Sequence, residues 1–479
     1  MGHRGTKKAV RRKPHVVMVM PRGEAIRNFL YSDTLRVLNE SARVTLLSVV
    51  GDRVFLSRFK SLIDQIFPLR IYPQTKLVSY LRTFTENVHD RWLWSGVARN
   101  NWELRDLRAK DRGKRFQRQI MKVLTRLFAN KLSLQALTGL EQYLTWKLRP
   151  NDEFERLFDK IKPDLVFNGS HIHGLSGELP LRIAKRIEIP TVGFIFSWDN
   201  LTSRSRIFVP YDYYLVWHET MKEQLLSIYP KVQRDRVFVT GTPQFDFHFN
   251  PGFWLSRDEL CERIGIESDR PLILYTTGIM NHFYDEHRHV EMVIRLLHKM
   301  DLRPRPQLVV RTYVKGISSQ MKALEEKGFP DVVFRPGLWE EKWQTPLYED
   351  LAIYTSLLRH ASLGINAAST VSLELLMLDK PVINLDFDPP GTKLPWCMGY
   401  SRHIQFDHYK SVADSGAVMV ARSEQDMEQM LYRGLTKPEA DTERRRNFIQ
   451  KMFDHRLDGR AGQRVAEVLI NLAQRNGCQ

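Results

Sequence analysis

The residues best suited to chemistry lie in the run Leu363-Gly-Ile-Asn-Ala-Ala-Ser-Thr-Val-Ser-Leu-Glu-Leu-Leu-Met-Leu-Asp-Lys-Pro-Val-Ile-Asn384. An apolar strand leads into small and hydroxyl residues where a helix begins. That junction sets free backbone N–H groups, the hydroxyls of Ser369 and Thr370 and the positive end of the helix dipole side by side, an anion site suited to a diphosphate. Glu374 falls four residues after Thr370 on the same helix face, where a carboxylate accepts hydrogen bonds from ribose hydroxyls. The plainer alternative is that Ser369 and Thr370 only cap the helix and Glu374 is a solvated acid of its first turn. No Gly-x-Gly-x-x-Gly and no Walker A segment follows any strand, which speaks against a dinucleotide dehydrogenase or a P-loop ATPase.

Such a site needs strands and helices in alternation to hold it. Residues 15–50 read as strand 16–20, helix about 28–38 and strand 44–50, the opening of a βαβ unit. Alternation resumes at 164 and runs through strands 164–168, 191–196, 213–217 and 237–240 with intervening helices. Residues 247–253, with Pro251-Gly252, read as a linker. A second series opens with the capping box Ser256…Glu259 and continues through strands 272–275, 307–311, 332–335, 363–366, 382–385 and 417–421 to two closing helices. The expectation is α/β: two tandem doubly wound, Rossmann-like domains facing across a cleft, 15–250 and 251–479, after a basic tail 1–14. Ligands in such sheets sit beyond the carboxyl ends of the strands.

The chain has 479 residues and a formal charge of +17. Residues 1–150 carry 30 Lys and Arg against 11 Asp and Glu, so the remainder is close to neutral. Much of the excess lies in 76–149, read as a helical insertion with 16 basic and 6 acidic residues and many aromatics. Cys261, Cys397 and Cys478 are too far apart for a Cys-x-x-Cys pair, so neither a disulfide framework nor a thiolate zinc site is suggested, and a cytoplasmic setting fits. The apolar run from His15 stops at Pro21, and no run approaches the ~20 residues of a membrane span, so membrane contact would be peripheral, on the inner face of the cell membrane. The sequons at Asn39, Asn168 and Asn200 then carry no glycosylation meaning.

With Asn366 to Thr370, Glu374 and Lys380-Pro-Val-Ile383 in place, the sequence resembles the GT-B glycosyltransferases, in particular bacterial surface-polysaccharide transferases and the related glycerophosphotransferases that use a CDP-activated polyol phosphate. Supporting matches are Phe196-Ser-Trp-Asp-Asn-Leu-Thr202, Tyr213 to Trp217 with His218-Glu219, Gly241-Thr-Pro-Gln-Phe-Asp246 and Asp458-Gly-Arg-Ala461. The resemblance spans most of the chain outside 76–149. It implies a nucleotide-sugar donor in the second domain and a glycan or lipid-linked glycan acceptor on the first. On that mapping Thr276, Thr277 and Gly278 let backbone approach a phosphate, Arg311 neutralises the leaving diphosphate, and Arg335 to Trp339 lie near the base. The glycerophosphotransferases place His-Pro where this chain has Arg311-Thr-Tyr313, which argues for sugar transfer over polyol-phosphate transfer.

An inverting transfer needs a general base from the first domain. The candidates are His171 and His173, in Asn168-Gly-Ser-His-Ile-His-Gly174, and Glu24, in Pro21-Arg-Gly-Glu-Ala-Ile-Arg27, with Asp199 third. Asp386-Phe387-Asp388 imitates a metal-binding Asp-x-Asp, yet its place late in the chain, before Pro389-Pro390-Gly391, points to loop formation or sugar hydroxyls. His282, His287 and His289 have no carboxylate or cysteine at ligand spacing, so no cofactor and no metal is expected. The charge raises two further readings of 76–149, an anionic membrane surface or a nucleic acid; the absence of a nucleic-acid motif and the near-neutral remainder speak against the second, and a lipid-linked acceptor favours the membrane. A sugar-nucleotide epimerase shares the same architecture.

Overall fold

The computed structural model describes residues 12–149, 151–171, 175–204, 206–313, 316–340, 342 and 345–476. The first sheet contains β1 (His15–Met20), β2 (Arg43–Ser48), β3 (Gln65–Pro68), β4 (Leu165–Asn168), β5 (Thr191–Phe194), β6 (Tyr213–Val216) and β7 (Val237–Val239). The second contains β8 (Leu272–Thr276), β9 (Gln307–Arg311), β10 (Val332–Phe334), β13 (Leu363–Asn366), β14 (Val382–Leu385) and β15 (Met419–Ala421). A short hairpin, β11 (Trp339–Glu340) and β12 (Thr345–Pro346), stands apart. The orders are β3-β2-β1-β4-β5-β6-β7 and β10-β9-β8-β13-β14-β15, with parallel pairing throughout both large sheets. Both are Rossmann-like. Every residue of β1 is buried, as expected of a strand covered by helices on both faces.

Strand order reverses between β1 and β4 in one sheet and between β8 and β13 in the other. Loops leaving such neighbours diverge to opposite faces and open a crevice. The strand ends, loops and helix starts at these two places carry Glu24 and His171, and Thr276 to Gly278 and Ala367 to Thr370.

Local chemistry explains where the expected elements shift. The helix foreseen at 28–38 is two, Gly23–Leu30 and Asp33–Ser41, because Ser32 accepts a hydrogen bond from Thr34 N–H and caps a new start. The supposed linker 247–253 is instead folded into the 3-10 turns Pro243–Phe249 and Pro251–Phe253, with Phe247 and Phe253 buried edge to face, 5.1 Å between ring centroids. β3 is a four-residue edge strand with little burial.

The last helix, Ala461–Asn476, returns to the first domain and packs on Asp33–Ser41. Its start is held by Asp246, whose carboxylate accepts from Ala461 N–H at 3.1 Å and Gly462 N–H at 2.7 Å. A Cβ at Gly462 would lie 3.0 Å from the hydroxyls of Ser32 and Thr34, so glycine permits the close approach. Two of the motifs quoted above, 241–246 and 458–461, thus meet in one interdomain joint.

Residues 76–149 form four helices, Lys76–Leu93, Gly96–Arg108, Arg112–Phe128 and Lys131–Lys147. Each is started by a side chain that accepts a backbone N–H, from Thr75, Ser95, Asp111 and Asn130 in turn, which is why four helices form where the sequence showed one helical tract. A buried ion cluster fixes the bundle to the first domain: Arg182 donates to both oxygens of Glu141 at 2.9 and 3.0 Å and to Glu178 at 3.1 Å, and Arg82 donates to Glu178 at 2.8 Å. At its other end Ser95 donates to the Thr202 carbonyl at 2.7 Å and Gly96 N–H to Asp407 at 2.5 Å, so the bundle touches both domains. No described helix is long and apolar enough to cross a membrane.

Candidate functional site

A cavity of about 450 Å³ lies between the domains, over both crevices. From the first domain it is walled by Glu24 and Arg27 on the helix after β1, by Phe196 to Asp199 after β5, and by Gln244. From the second it receives Thr276 to Gly278, Arg311 to Tyr313, Trp339, Tyr354, Ala367 to Thr370, Glu374, His408 and Tyr409. The domains touch within it, where Trp198 Nε1–H donates to Thr370 Oγ at 3.1 Å.

Ser369 is the cap of Thr370–Met377, its hydroxyl accepting from Val371 N–H and its own N–H donating to Asn366 Oδ1 at 3.0 Å. Ala368 before it has φ of 58°, a turn that aims the helix start into the cavity. Behind it Asn366, Ser372, Asn384 and Tyr409 form a buried network, with Tyr409 OH donating to Ser372 Oγ at 2.7 Å and Asn384 Nδ2 to Asn366 Oδ1 at 3.0 Å, while Asn366 Nδ2 is left without a partner.

Glu374 is buried, with Oε1 3.0 Å from His248 Nε2 and Oε2 accepting from Tyr354 OH at 2.6 Å. It is not the solvated acid of the plainer alternative. Each oxygen keeps a further lone pair for a ligand. Tyr354 is pushed up by burial and by the adjoining Glu374 carboxylate, and stays a neutral donor.

Arg311 lies in the wall, but its Nη2 donates to both oxygens of Asp350, at 2.8 and 2.7 Å, so its charge is already matched. Arg27, which the sequence reading left without a role, has described hydrogen bonds only to neutral amides, Asn28 Oδ1 at 2.9 Å and Gln244 Oε1 at 3.1 Å. Trp198, His408 and Tyr409 were also missed as site residues. Trp198 had a signal in the quoted Phe196 to Thr202 motif. His408 and Tyr409 sit on Asp407–Ala413, a seven-residue helix too short to show periodicity.

Of the base candidates, Glu24 faces the cavity and is 8% exposed. Its Oε2 lies 2.6 Å from Arg22 Nε, off the N–H line, and accepts no hydrogen bond. Asp199 also lines the cavity. Burial alone would raise it, but His408, the Ser197 and Ser203 hydroxyls at 2.5 Å and Arg204 hold it below the usual carboxylate range. His171 does not line the cavity. Its Nδ1 sits between the Phe194 carbonyl and Phe196 N–H, at 3.1 and 3.3 Å, and burial lowers its pKa to about 4. His173 lies outside the described residues.

Gly278 is in the wall, but its N–H donates to Glu286 at 3.0 Å, and a Cβ there would lie 1.8 Å from Phe283. Burial raises the Glu286 carboxyl to about 8, against Gly278 N–H and the Tyr275 hydroxyl. Folded protein therefore keeps a proton that the unfolded chain releases near its ordinary 4.5. The stabilisation this gives is full below the unfolded value and falls away as pH climbs to about 8. Glu286→Gln removes the titration, so the urea-midpoint advantage of the wild type over the variant is expected to shrink as pH rises through that window. A difference independent of pH would contradict the assignment.

Asp386 and Asp388 hold a loop: Asp386 Oδ2 accepts from Arg422 Nε at 3.2 Å, and Asp388 accepts from Leu394 and Tyr400 N–H at 3.2 and 3.0 Å. His289 is buried with Nε2 on the Phe387 carbonyl. Among the described residues no three metal-ligating side chains converge.

No protein family profile and no curated protein matches the chain. Solved structures do. A UDP-N-acetylglucosamine 2-epimerase aligns over 96% of each chain at 14% identity and a TM-score of 0.54. A putative UDP-N-acetylglucosamine 2-epimerase from Listeria monocytogenes aligns over 95% of each at 13% and 0.53. The UDP-GlcNAc 2-epimerase of Neisseria meningitidis bound to UDP-GlcNAc aligns over 96% of this chain and all of that one, at 14% and 0.51. At such identities the likeness is one of fold, the two-domain GT-B arrangement.

Proposed function

We propose that this chain is a glycosyltransferase that moves a sugar from a nucleotide-activated donor to a glycan acceptor, without a metal. One observation carries the reading: the Thr370–Met377 helix start and Glu374 face Glu24 and Arg27 across one interdomain cavity. The volume suits a nucleotide sugar. The diphosphate lies on the Thr370 N–H and the hydroxyls of Ser369 and Thr370, Glu374 accepts from the ribose, and Gly278 borders the diphosphate. The acceptor enters over the first domain, and Glu24 takes its proton.

Arg27 is assigned the charge-neutralising role that the sequence gave to Arg311, because Arg311 would first have to leave Asp350. Arg27→Ala is expected to weaken nucleoside diphosphate binding by about tenfold, the loss of one charge-assisted hydrogen bond, with little effect on the nucleoside. Titration calorimetry with both ligands checks this. Equal weakening of both would place Arg27 away from the phosphates.

The solved structures of the same fold favour a second reading, sugar-nucleotide epimerisation, since those proteins are named for it. Incubation with a panel of UDP-, GDP-, CMP- and dTDP-sugars separates the two. Transfer consumes donor and releases nucleotide only when acceptor is present, apart from slow hydrolysis. A new sugar nucleotide formed from donor alone would establish epimerisation.

A further inference from the structure

The helix Arg112–Phe128 presents an uncovered apolar stripe. Phe116, Ile120, Val123 and Leu127 recur at helical spacing, and Leu132 extends the stripe into the next helix. Phe116 is 67%, Leu127 69% and Leu132 79% exposed, and Thr125 is the only buried residue of the helix. The opposite side is anchored, with Phe128 edge to face on Phe84 and Arg118 stacked over Trp102. The stripe is therefore the outer face of a formed helix and not an unfinished core.

We propose that this face is a docking surface for an anionic lipid bilayer, with the stripe seated at the acyl boundary and the flanking cations at the headgroups. Charge complementarity selects this occupant. The helix holds six Lys and Arg and no acid. Asp106 engages Arg118 at 3.0 Å and Lys122 at 2.6 Å, and Asp111 pairs with Lys114 at 3.3 Å, which leaves Arg112, Arg115 and Arg126, with Lys131 beyond, to meet phosphate headgroups. Long basic side chains lay their stems along apolar surface and lift their charge to the interface, the arrangement of an interfacial helix. A second copy would bring like charge against like charge. A nucleic acid would find a largely aliphatic stripe with little to stack on.

The bundle is fixed to the first domain through the Arg82, Arg182, Glu141 and Glu178 cluster and reaches Asp407, next to the cavity residue His408. Docking would thus hold the cavity at a set distance from the lipid, which suits a lipid-linked acceptor. The surface does not depend on the identity of the donor.

The test is flotation of the full chain with vesicles of phosphatidylcholine alone and of an equal mixture with phosphatidylglycerol, at low and high salt, alongside Ile120→Glu/Leu127→Glu. Wild type is expected to float with the anionic vesicles, less so in salt, and the double variant to lose about tenfold or more in partitioning. Circular dichroism and nucleotide binding should not change in the variant, which separates failure of docking from failure of the donor reading. Absence of wild-type flotation, equal flotation with neutral vesicles or undiminished flotation of the variant would overturn the proposal. So would a dimer dissolved by the double substitution, or salt-sensitive DNA binding without flotation.

Discussion

Glu24→Gln is expected to lower kcat for sugar transfer by about 10²–10⁴-fold, the usual contribution of a positioned general base, while donor affinity stays as in the wild type. Glu24 stands on the first-domain side of the cavity, opposite the helix start proposed to take the diphosphate, and its buried Oε2 is ion-paired with Arg22 Nε at 2.6 Å yet accepts no hydrogen bond. An acceptor hydroxyl brought there would satisfy that atom and hand over its proton in the same contact. Asp199 is the rival, yet its oxygens already accept from Ser197 and Ser203 and it is held in its anionic form. That makes it a poor base. Single-turnover rates for Glu24→Gln and Asp199→Asn decide between them: if the asparagine variant is the slow one and the glutamine variant is not, the base is Asp199.

Glu374→Ala should cost at least about 100-fold in kcat/KM for the donor and should also destabilise the fold. The two losses have separate origins. Hydrogen bonds from a ligand to a charged group contribute about 1.5–3 kcal/mol each, so removal of the carboxylate weakens donor binding by one to two powers of ten per bond lost. Removal also strands His248 Nε2 and Tyr354 OH, both buried, at about 1–3 kcal/mol for each unsatisfied group. Glu374→Gln separates the effects. The amide still accepts from Tyr354 and meets the His248 ring in its other tautomer, so stability should return while much of the donor defect remains. Full recovery of kcat/KM in the glutamine variant would show that Glu374 supports the fold and does not touch the donor.

The second domain was the more legible half. Strands 307–311, 363–366 and 382–385 stood out because each is a short apolar run between turn residues, and Ser256…Glu259 marked its helix by a reciprocal cap that the structure contains. The two-sheet architecture followed from alternation alone. What the sequence did not disclose depends on contacts between distant residues. His248 sits in a turn read as linker, and only the fold carries it to Glu374, 126 positions away. The pairing of Arg311 with Asp350 likewise needs β9 beside the helix Tyr348–His360. His171 was read as a candidate base from its place in a loop after a strand, but the neighbouring β5 supplies the Phe194 carbonyl that engages its ring. The apolar stripe of Arg112–Phe128 was visible as spacing, whereas its exposure could be known only once the other three helices were packed.

The proposed function stands on a nucleoside diphosphate group binding at the start of Thr370–Met377, between the domains. It is tested most directly by titration calorimetry of UDP, GDP, CDP and dTDP, with the corresponding monophosphates, against wild type and Thr370→Val. At least one diphosphate is expected to bind, its monophosphate about tenfold or more weakly, and Thr370→Val is expected to narrow this gap by removing the hydroxyl at the helix start. Absence of binding by all four diphosphates to the folded protein, or a gap unchanged in the variant, would contradict it.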